Sequence, residues 1–251
     1  VKGKRVLVVG ASSGIGRAVG LRAMSHGAQV AFCARRADRL GEAVTAAGGG
    51  HAIAADVRDP DECERLVADA VAALGGLDVV VFATGISPLR MLGDTGAEEW
   101  AQVLETNLIG AHLVMRAAVP QLAAGGVFAV ISSDSVGRPR PGLVPYAASK
   151  AALEEMLRGW RFEHPNVRFS CLAVGPTFPT EFGAQFEPEL TMEMFGVWDK
   201  LGMVHANIME TDSVAEVLVD TLGVVLRNPG VSLDYLVVRP APIATPDGTG
   251  S

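Results

Sequence analysis

Tyr146 and Lys150 stand four residues apart in the segment YAASK. Four residues is about one helical turn, so on a helix the phenol and the ammonium share a face. A free tyrosine titrates near pH ~10 and is a poor base at neutral pH. A lysine ammonium beside it favours the phenolate and lowers that pKa, which suits the pair to giving and taking a proton. Ser133 lies thirteen residues upstream, in ISSDS, where its hydroxyl can hold a substrate oxygen beside the phenol. Asn107, in ETNLIG, falls inside a helical pattern, an unfavourable place for asparagine unless its side chain has work there. A YxxxK spacing often arises by chance. All four residues behind a glycine loop form a far more specific pattern.

That loop is GASSGIG, with Gly10, Gly14 and Gly16, placed between a strand-like run and a helix-like one. Glycines let a backbone approach phosphates closely, and free N–H groups at a helix start favour negative charge. Gly10, Ser12, Ser13, Gly14, Ile15 and Gly16 are therefore candidates for binding a dinucleotide pyrophosphate, the two serines adding hydroxyl donors. The bland alternative is a tight turn in a chain with 29 glycines. Asp56, closing the third strand-like run, fits an acceptor for an adenine amino group. Many dinucleotide folds carry an acid after the second strand that accepts hydrogen bonds from the adenosine ribose and repels a 2′-phosphate. This chain has Arg35-Arg36 there. Guanidinium pairs with phosphate in bidentate geometry, so the expected cofactor is NADP(H) ahead of NAD(H).

Positioning these groups requires an alternating frame. Short runs rich in Val, Ile and Ala recur at 5–10, 28–34, 51–55, 77–83, 126–132, 167–174 and 233–239, too apolar to alternate cleanly, as buried parallel strands are. Helical character fills 15–26, 37–47, 60–74, 97–123, 145–163 and 211–227. Pro60 with Asp61 and Glu62 makes a good helix start. The order implies a single α/β domain over 1–251, a doubly wound parallel sheet with helices on both faces. The irregular zone 175–210 is expected to be a substrate lid, and the Pro/Gly/Thr-rich tail 240–251 to be extended.

Composition narrows the partners. The 251 residues are 49% hydrophobic and 20% charged, enough to bury a core, with a net charge of −7. So acidic a chain lacks the footprint of a nucleic-acid binder or of a basic membrane-surface helix. No run reaches the ~18 apolar residues of a membrane span, and since the opening VKGKRVLVVG goes directly into a strand-like run, no signal peptide is expected. Three separated cysteines read as free thiols in a reducing cytoplasm, and the five histidines show no ligand spacing, so no protein-held metal is expected. The partner expected is a small-molecule substrate.

Over residues 3–239 the chain resembles the short-chain dehydrogenases/reductases of about 250 residues, on the strength of GASSGIG, Asp56-Val57, Asn107, Ser133, and Tyr146 with Lys150. The resemblance implies a seven-stranded Rossmann-type sheet in the order 3-2-1-4-5-6-7. It implies Tyr146 as general acid/base and Lys150 as ribose ligand and modifier of the tyrosine pKa. Ser133 would orient a substrate carbonyl, and Asn107 would hold a water in a proton relay. Asp56 and Val57 join the cofactor site. It also implies a homo-oligomer, a tetramer or dimer, built on helices 97–123 and 145–163. Two stretches depart from the pattern. Phe82-Ala83-Thr84-Gly85 stands where relatives carry NNAG, so only Gly85 remains. In GPTFPT, Thr177 or Thr180 can bond the nicotinamide carboxamide, Thr180 being preferred.

The segment 177–210 holds nine Phe, Met and Trp residues in 34, against 20 in all 251, and its charges are mostly acidic. An adaptable apolar wall with an acidic rim favours a bulky, uncharged ketone or secondary alcohol. The competing reading is that these side chains pack on the domain or in a subunit interface. A rival for the whole chain is a catalytically silent dinucleotide-binding sensor or scaffold, which the altered loop at 82–85 would suit and the intact quartet would not need.

Overall fold

Strand β1 (Arg5–Val9) has a burial pattern that explains its unbroken apolar sequence. Successive side chains of a strand point to opposite faces. Leu7 and Val9 enter one core, Val6 and Val8 the other, and all four are essentially inaccessible to water. The sheet is covered on both sides, so no position is left for a polar residue. The chain is described here by a computed structural model covering residues 1–242.

Strand–helix units follow in order: α1 (Gly14–Ser25), β2 (Gln29–Ala34), α2 (Ala37–Ala47), β3 (His51–Ala54), α3 (Pro60–Leu74), β4 (Leu77–Phe82). Next come α4 (Ala97–Leu104), α5 (Gly110–Ala118), β5 (Leu122–Ser133), α6 (Val144–Glu163) and β6 (Arg168–Val174). The rest comprises β7 (Thr177–Phe178), α7 (Pro188–Lys200), β8 (Met209–Glu210), α8 (Thr211–Arg227) and β9 (Tyr235–Val238). Seven strands form one sheet in the order β3-β2-β1-β4-β5-β6-β9, every pairing parallel. Helices α3, α5 and α6 cover one face, α1, α2 and α8 the other. This is the doubly wound Rossmann-type architecture. The order reverses between β1 and β4, which opens a crevice at their carboxyl ends. At α3, Pro60 occupies the first turn and the Asp59 carboxylate accepts from the N–H groups of Asp61 and Glu62.

Two expectations need correction. The helix foreseen over 97–123 is α4, a π-helical turn at Glu105–Ile109, and α5, ending in a short 3-10 turn at Val119–Gln121. The π turn carries Asn107, and such insertions into a helix gather at functional sites. Gly110, just beyond it, lets the helix close on Val57: a Cβ there would lie 2.8 Å from a Val57 methyl. Pro120 then stops the helix. The zone 175–210 contains a regular helix, α7, and its ends are tied by pairing of β7 with β8. Of the foreseen tail, residues 243–251 lie outside the described residues.

Candidate active site

A cleft of about 690 Å³ opens at the carboxyl ends of β1, β4, β5 and β6. It collects nearly all the residues singled out by sequence, from three directions.

The first is the glycine loop. Gly10, Ser12, Ser13, Gly14, Ile15 and Gly16 line the cleft floor. Gly10 has a φ of +91°, and a Cβ there would meet Thr84 N at 2.8 Å; a Cβ on Gly16 would stand 2.3 Å from the Gly10 carbonyl. Nothing larger fits either position. Ser13 precedes α1 without capping it through its side chain, so the first N–H groups of the helix have no side-chain partner from that residue. A close-packed glycine floor below a helix start suits a pyrophosphate. The altered loop after β4 is braced by other means. Ala83 N donates to the Val9 carbonyl at 2.7 Å, and Thr84 packs on Gly10. Gly85 faces Lys150: a Cβ there would be 3.2 Å from the ammonium.

The second group lies beyond β2 and β3. Arg35 and Arg36 are exposed at the cleft, with Asp56 and Val57 beside them. Arg36 donates to Ser12 Oγ at 3.1 Å and to Glu181 Oε2 at 2.5 Å. That hydrogen bond holds the Glu181 carboxyl below its usual range. Asp56 accepts from the Arg58 backbone N–H at 3.0 Å and from its guanidinium at 2.6 Å. The Arg58 hydrogen bonds lower the Asp56 pKa.

The third group is the proton-handling set. Helix α6 presents Tyr146 and Lys150 on one face, the Lys150 ammonium 5.7 Å from the tyrosine ring centre. Lys150 is 2% exposed and donates to the Ile131 carbonyl at 2.9 Å and to Thr84 O at 3.4 Å. Burial lowers its pKa to about 8, opposed by Cys171 and Glu154. Tyr146 departs from the expected direction. Burial raises its pKa to about 12, and the nearby Ser133 hydroxyl pulls the other way. In the protein by itself, desolvation of the phenolate, helped by the Asp134 charge, outweighs the Ser133 hydroxyl and the Arg140 guanidinium. Ser133 ends β5 and accepts from Ser135 N at 3.2 Å and from Ser135 Oγ at 2.9 Å.

Asn107 stands behind this set, 0% exposed. Its Oδ1 accepts from Ile86 N at 2.8 Å, and its Nδ2 donates to Ile86 O at 2.9 Å and Ser149 Oγ at 3.0 Å. The side chain thus splices the loop after β4 to the helix bearing Tyr146. Both amide hydrogens have protein partners.

Thr177 and Thr180 both line the cleft, Thr180 within 3.5 Å of where a Gly14 Cβ would be. The aromatic segment divides its loyalties. Phe182 packs on Tyr146 with ring centres 4.7 Å apart, and Phe186, Phe195, Trp198 and Met203 join the wall. Met194 is buried against Leu89 and Leu143, whereas Met192 is exposed. Trp198 Nε1 donates to the Pro141 carbonyl at 2.8 Å, anchoring α7 over the site.

Sequence reading missed three polar residues of the cleft: Asp134, Arg140 and His205. Asp134 follows Ser133 directly, a position that could have drawn notice. Arg140 and His205 sit in loops far apart in sequence, and no spacing announces their meeting.

Residues 4–190 match the family model described as short chain dehydrogenase. The chain is 35% identical over 182 residues to the glucose 1-dehydrogenase of Gluconobacter oxydans, a match spanning 69% of this chain and 68% of that one. It is 34% identical over 181 residues to dehydrogenase/reductase SDR family member 4 of Bos taurus, spanning 68% and 65%. Among solved structures, a short chain dehydrogenase from Burkholderia cenocepacia in complex with NADP superposes with a TM-score of 0.82 at 27% identity, covering 95% of this chain and 97% of the other. An alcohol dehydrogenase from Thermococcus sibiricus complexed with 5-hydroxy-NADP gives 0.80 at 26% identity, covering 94% and 95%.

Proposed function

Since the chain belongs to the short-chain dehydrogenase/reductase family, we propose that it is an NADP(H)-dependent oxidoreductase interconverting a ketone and a secondary alcohol. The observation that carries this reading is the convergence of Ser133, Tyr146 and Lys150 in one cleft with the glycine floor of α1. A silent sensor would have no use for that convergence.

The nicotinamide dinucleotide supplies or accepts the hydride when bound. Gly10 to Gly16 would hold its pyrophosphate, Val57 and Asp56 its adenine end, and Thr180 its carboxamide. Arg35 and Arg36 would take a 2′-phosphate. Among the described residues Arg35 makes no side-chain hydrogen bond, and Arg36 is held only by the exposed Glu181 and by Ser12. An exposed ion pair of this kind is worth only ~0–1 kcal/mol and yields readily to phosphate.

Ser133 would hold the substrate oxygen by its hydroxyl. Tyr146 would give that oxygen its proton in reduction and take it back in oxidation. A phenol kept neutral by burial is in the right state to donate. Lys150, its ammonium fixed by Ile131 and Thr84, would steady the cofactor ribose and the tyrosine together. Phe182 and the aromatic wall would exclude water from the transfer.

Exposed Ile109 and Phe162, on the outer surfaces of the π turn and α6, support a homo-oligomer. No helix among the described residues is long and apolar enough to cross a membrane. Three buried free thiols support a reducing cytoplasm.

Calorimetric titration with NADP⁺ and NAD⁺ tests the cofactor assignment. We expect NADP⁺ to bind about ten- to a hundredfold more tightly, with the preference lost in the Arg35→Ala, Arg36→Ala double variant. Equal affinities in the wild type would overturn it.

A further inference from the structure

The cleft is not apolar throughout. Also lining it, Asp134 Oδ1 lies 3.6 Å from Arg140 Nη1, and Asp134 Oδ2 lies 3.6 Å from His205 Nε2. The Asp134 side chain is 7% exposed, and that of Arg140 is 16% exposed. Both distances exceed a hydrogen bond. Among the described residues none of the three side chains makes a hydrogen bond to another protein group.

This arrangement is built rather than incidental. The Asp134 N–H donates to the Val174 carbonyl at 3.2 Å, which fixes the residue at the carboxyl end of β5. The carboxylate lies over Gly175, where a Cβ would come within 3.2 Å of Oδ2. A carboxylate withdrawn from water but not hydrogen-bonded is costly unless a ligand completes it. Its position directly after Ser133 puts it beside the oxygen-holding serine.

We infer that Asp134, Arg140 and His205 form a recognition site for a hydroxyl group on the substrate, close to the reacting carbonyl. The inference deepens the oxidoreductase reading and rests on it. A carboxylate only accepts, so Asp134 requires a donor. Arg140 only donates, and the His205 imidazole can do either, so they suit a group that also accepts. A hydroxyl does both at one atom. An anion would meet Arg140 already neutralised by Asp134, and a plain alkyl group would offer the carboxylate no hydrogen-bond donor. The substrate class is therefore a hydroxyketone, or the vicinal diol it becomes on reduction, with its apolar body against Phe182 and Phe186.

Three aryl ketones of similar size make the test: acetophenone, 2-hydroxyacetophenone and benzoylformate, each reduced with NADPH by the wild type and by Asp134→Asn and Asp134→Ala. In the wild type kcat/KM should favour the hydroxyketone. In Asp134→Ala its advantage over acetophenone, read as the ratio of the two kcat/KM values, should fall about tenfold or more, the loss expected for a hydrogen bond to a buried charge. Benzoylformate should gain, because Arg140 is no longer neutralised. Asp134→Asn should fall between. Comparing ratios across variants cancels the different intrinsic reactivities of the ketones.

A second readout does not need turnover: calorimetry of 1-phenyl-1,2-ethanediol and 1-phenylethanol on the NADP⁺-loaded protein. The diol should bind more tightly in the wild type and lose that advantage in Asp134→Ala. A parallel fall for all ligands would mark Asp134 as a purely structural residue and overturn the inference, as would an unchanged ratio. If diol preference and its loss appear without reduction of any ketone, the hydroxyl site stands and the oxidoreductase reading fails.

Discussion

Tyr146 and Lys150 carry opposite distortions with one cause. Lys150 is buried and Tyr146 partly so, and burial penalises whichever form is charged: phenolate in one, ammonium in the other. Lys150 consequently links proton binding to folding. Its pKa falls from 10.5 to about 8 in the folded protein. Between those values the unfolded chain binds the proton and the folded chain does not, so the Lys150 contribution to stability rises as pH climbs through the window. Tyr146 works the other way from about 10 upwards, where the unfolded phenol loses its proton and the folded one retains it to about 12. We predict that wild-type stability, measured by urea unfolding relative to Lys150→Met, increases from pH 8 to pH 10. A difference flat with pH would show that Lys150 is not desolvated. The quartet of Asn107, Ser133, Tyr146 and Lys150 was legible in the sequence because its chemistry is carried by residue type and spacing. The Asp134 cluster was not, because Arg140 and His205 approach it from separate loops. The upward shift of Tyr146 in the protein without its cofactor was not legible for a related reason: spacing brings a lysine near but says nothing about burial.

At the scale of elements, the interruption between α4 and α5 is the feature the sequence hid. The apolar period runs through 97–118 without a break, so a continuous helix was the natural reading. The π turn arises from a side-chain demand, since Asn107 must reach the Ile86 backbone and Ser149 together. Asn107→Leu would leave the Ile86 N–H and C=O without these partners. We predict a loss of about 1–3 kcal/mol in unfolding free energy for each group left unpaired. Because the splice also positions the loop under Lys150, kcat should fall with it. Unchanged stability would mean that the loop has another brace. The strands were legible because they are buried on both faces and so read as plain apolar runs. Helix α7 is hard to read from the sequence because its large apolar residues divide between the buried Met194 and Trp198 and the exposed Met192 and Phe195, so composition alone suggests a loop.

Across the whole molecule the parallel sheet does the positioning. Its strand order reverses between β1 and β4, and the carboxyl ends there receive the glycine floor, the Ser133 strand end and the face of α6. The aromatic wall closes over that crevice, and α7 is pinned to the loop before α6 by Trp198. The frame accounts for the family likeness, while the aromatic wall and the polar cluster are where the proposed substrate preference would be set. The proposed reaction turns on Tyr146 moving a proton at the reacting oxygen. The direct test is the rate of NADPH-dependent ketone reduction by Tyr146→Phe, with NADPH affinity measured on the same samples. Loss of the proton donor should lower kcat by about 10²- to 10⁴-fold while cofactor affinity is retained. A variant that keeps near wild-type kcat would contradict the account.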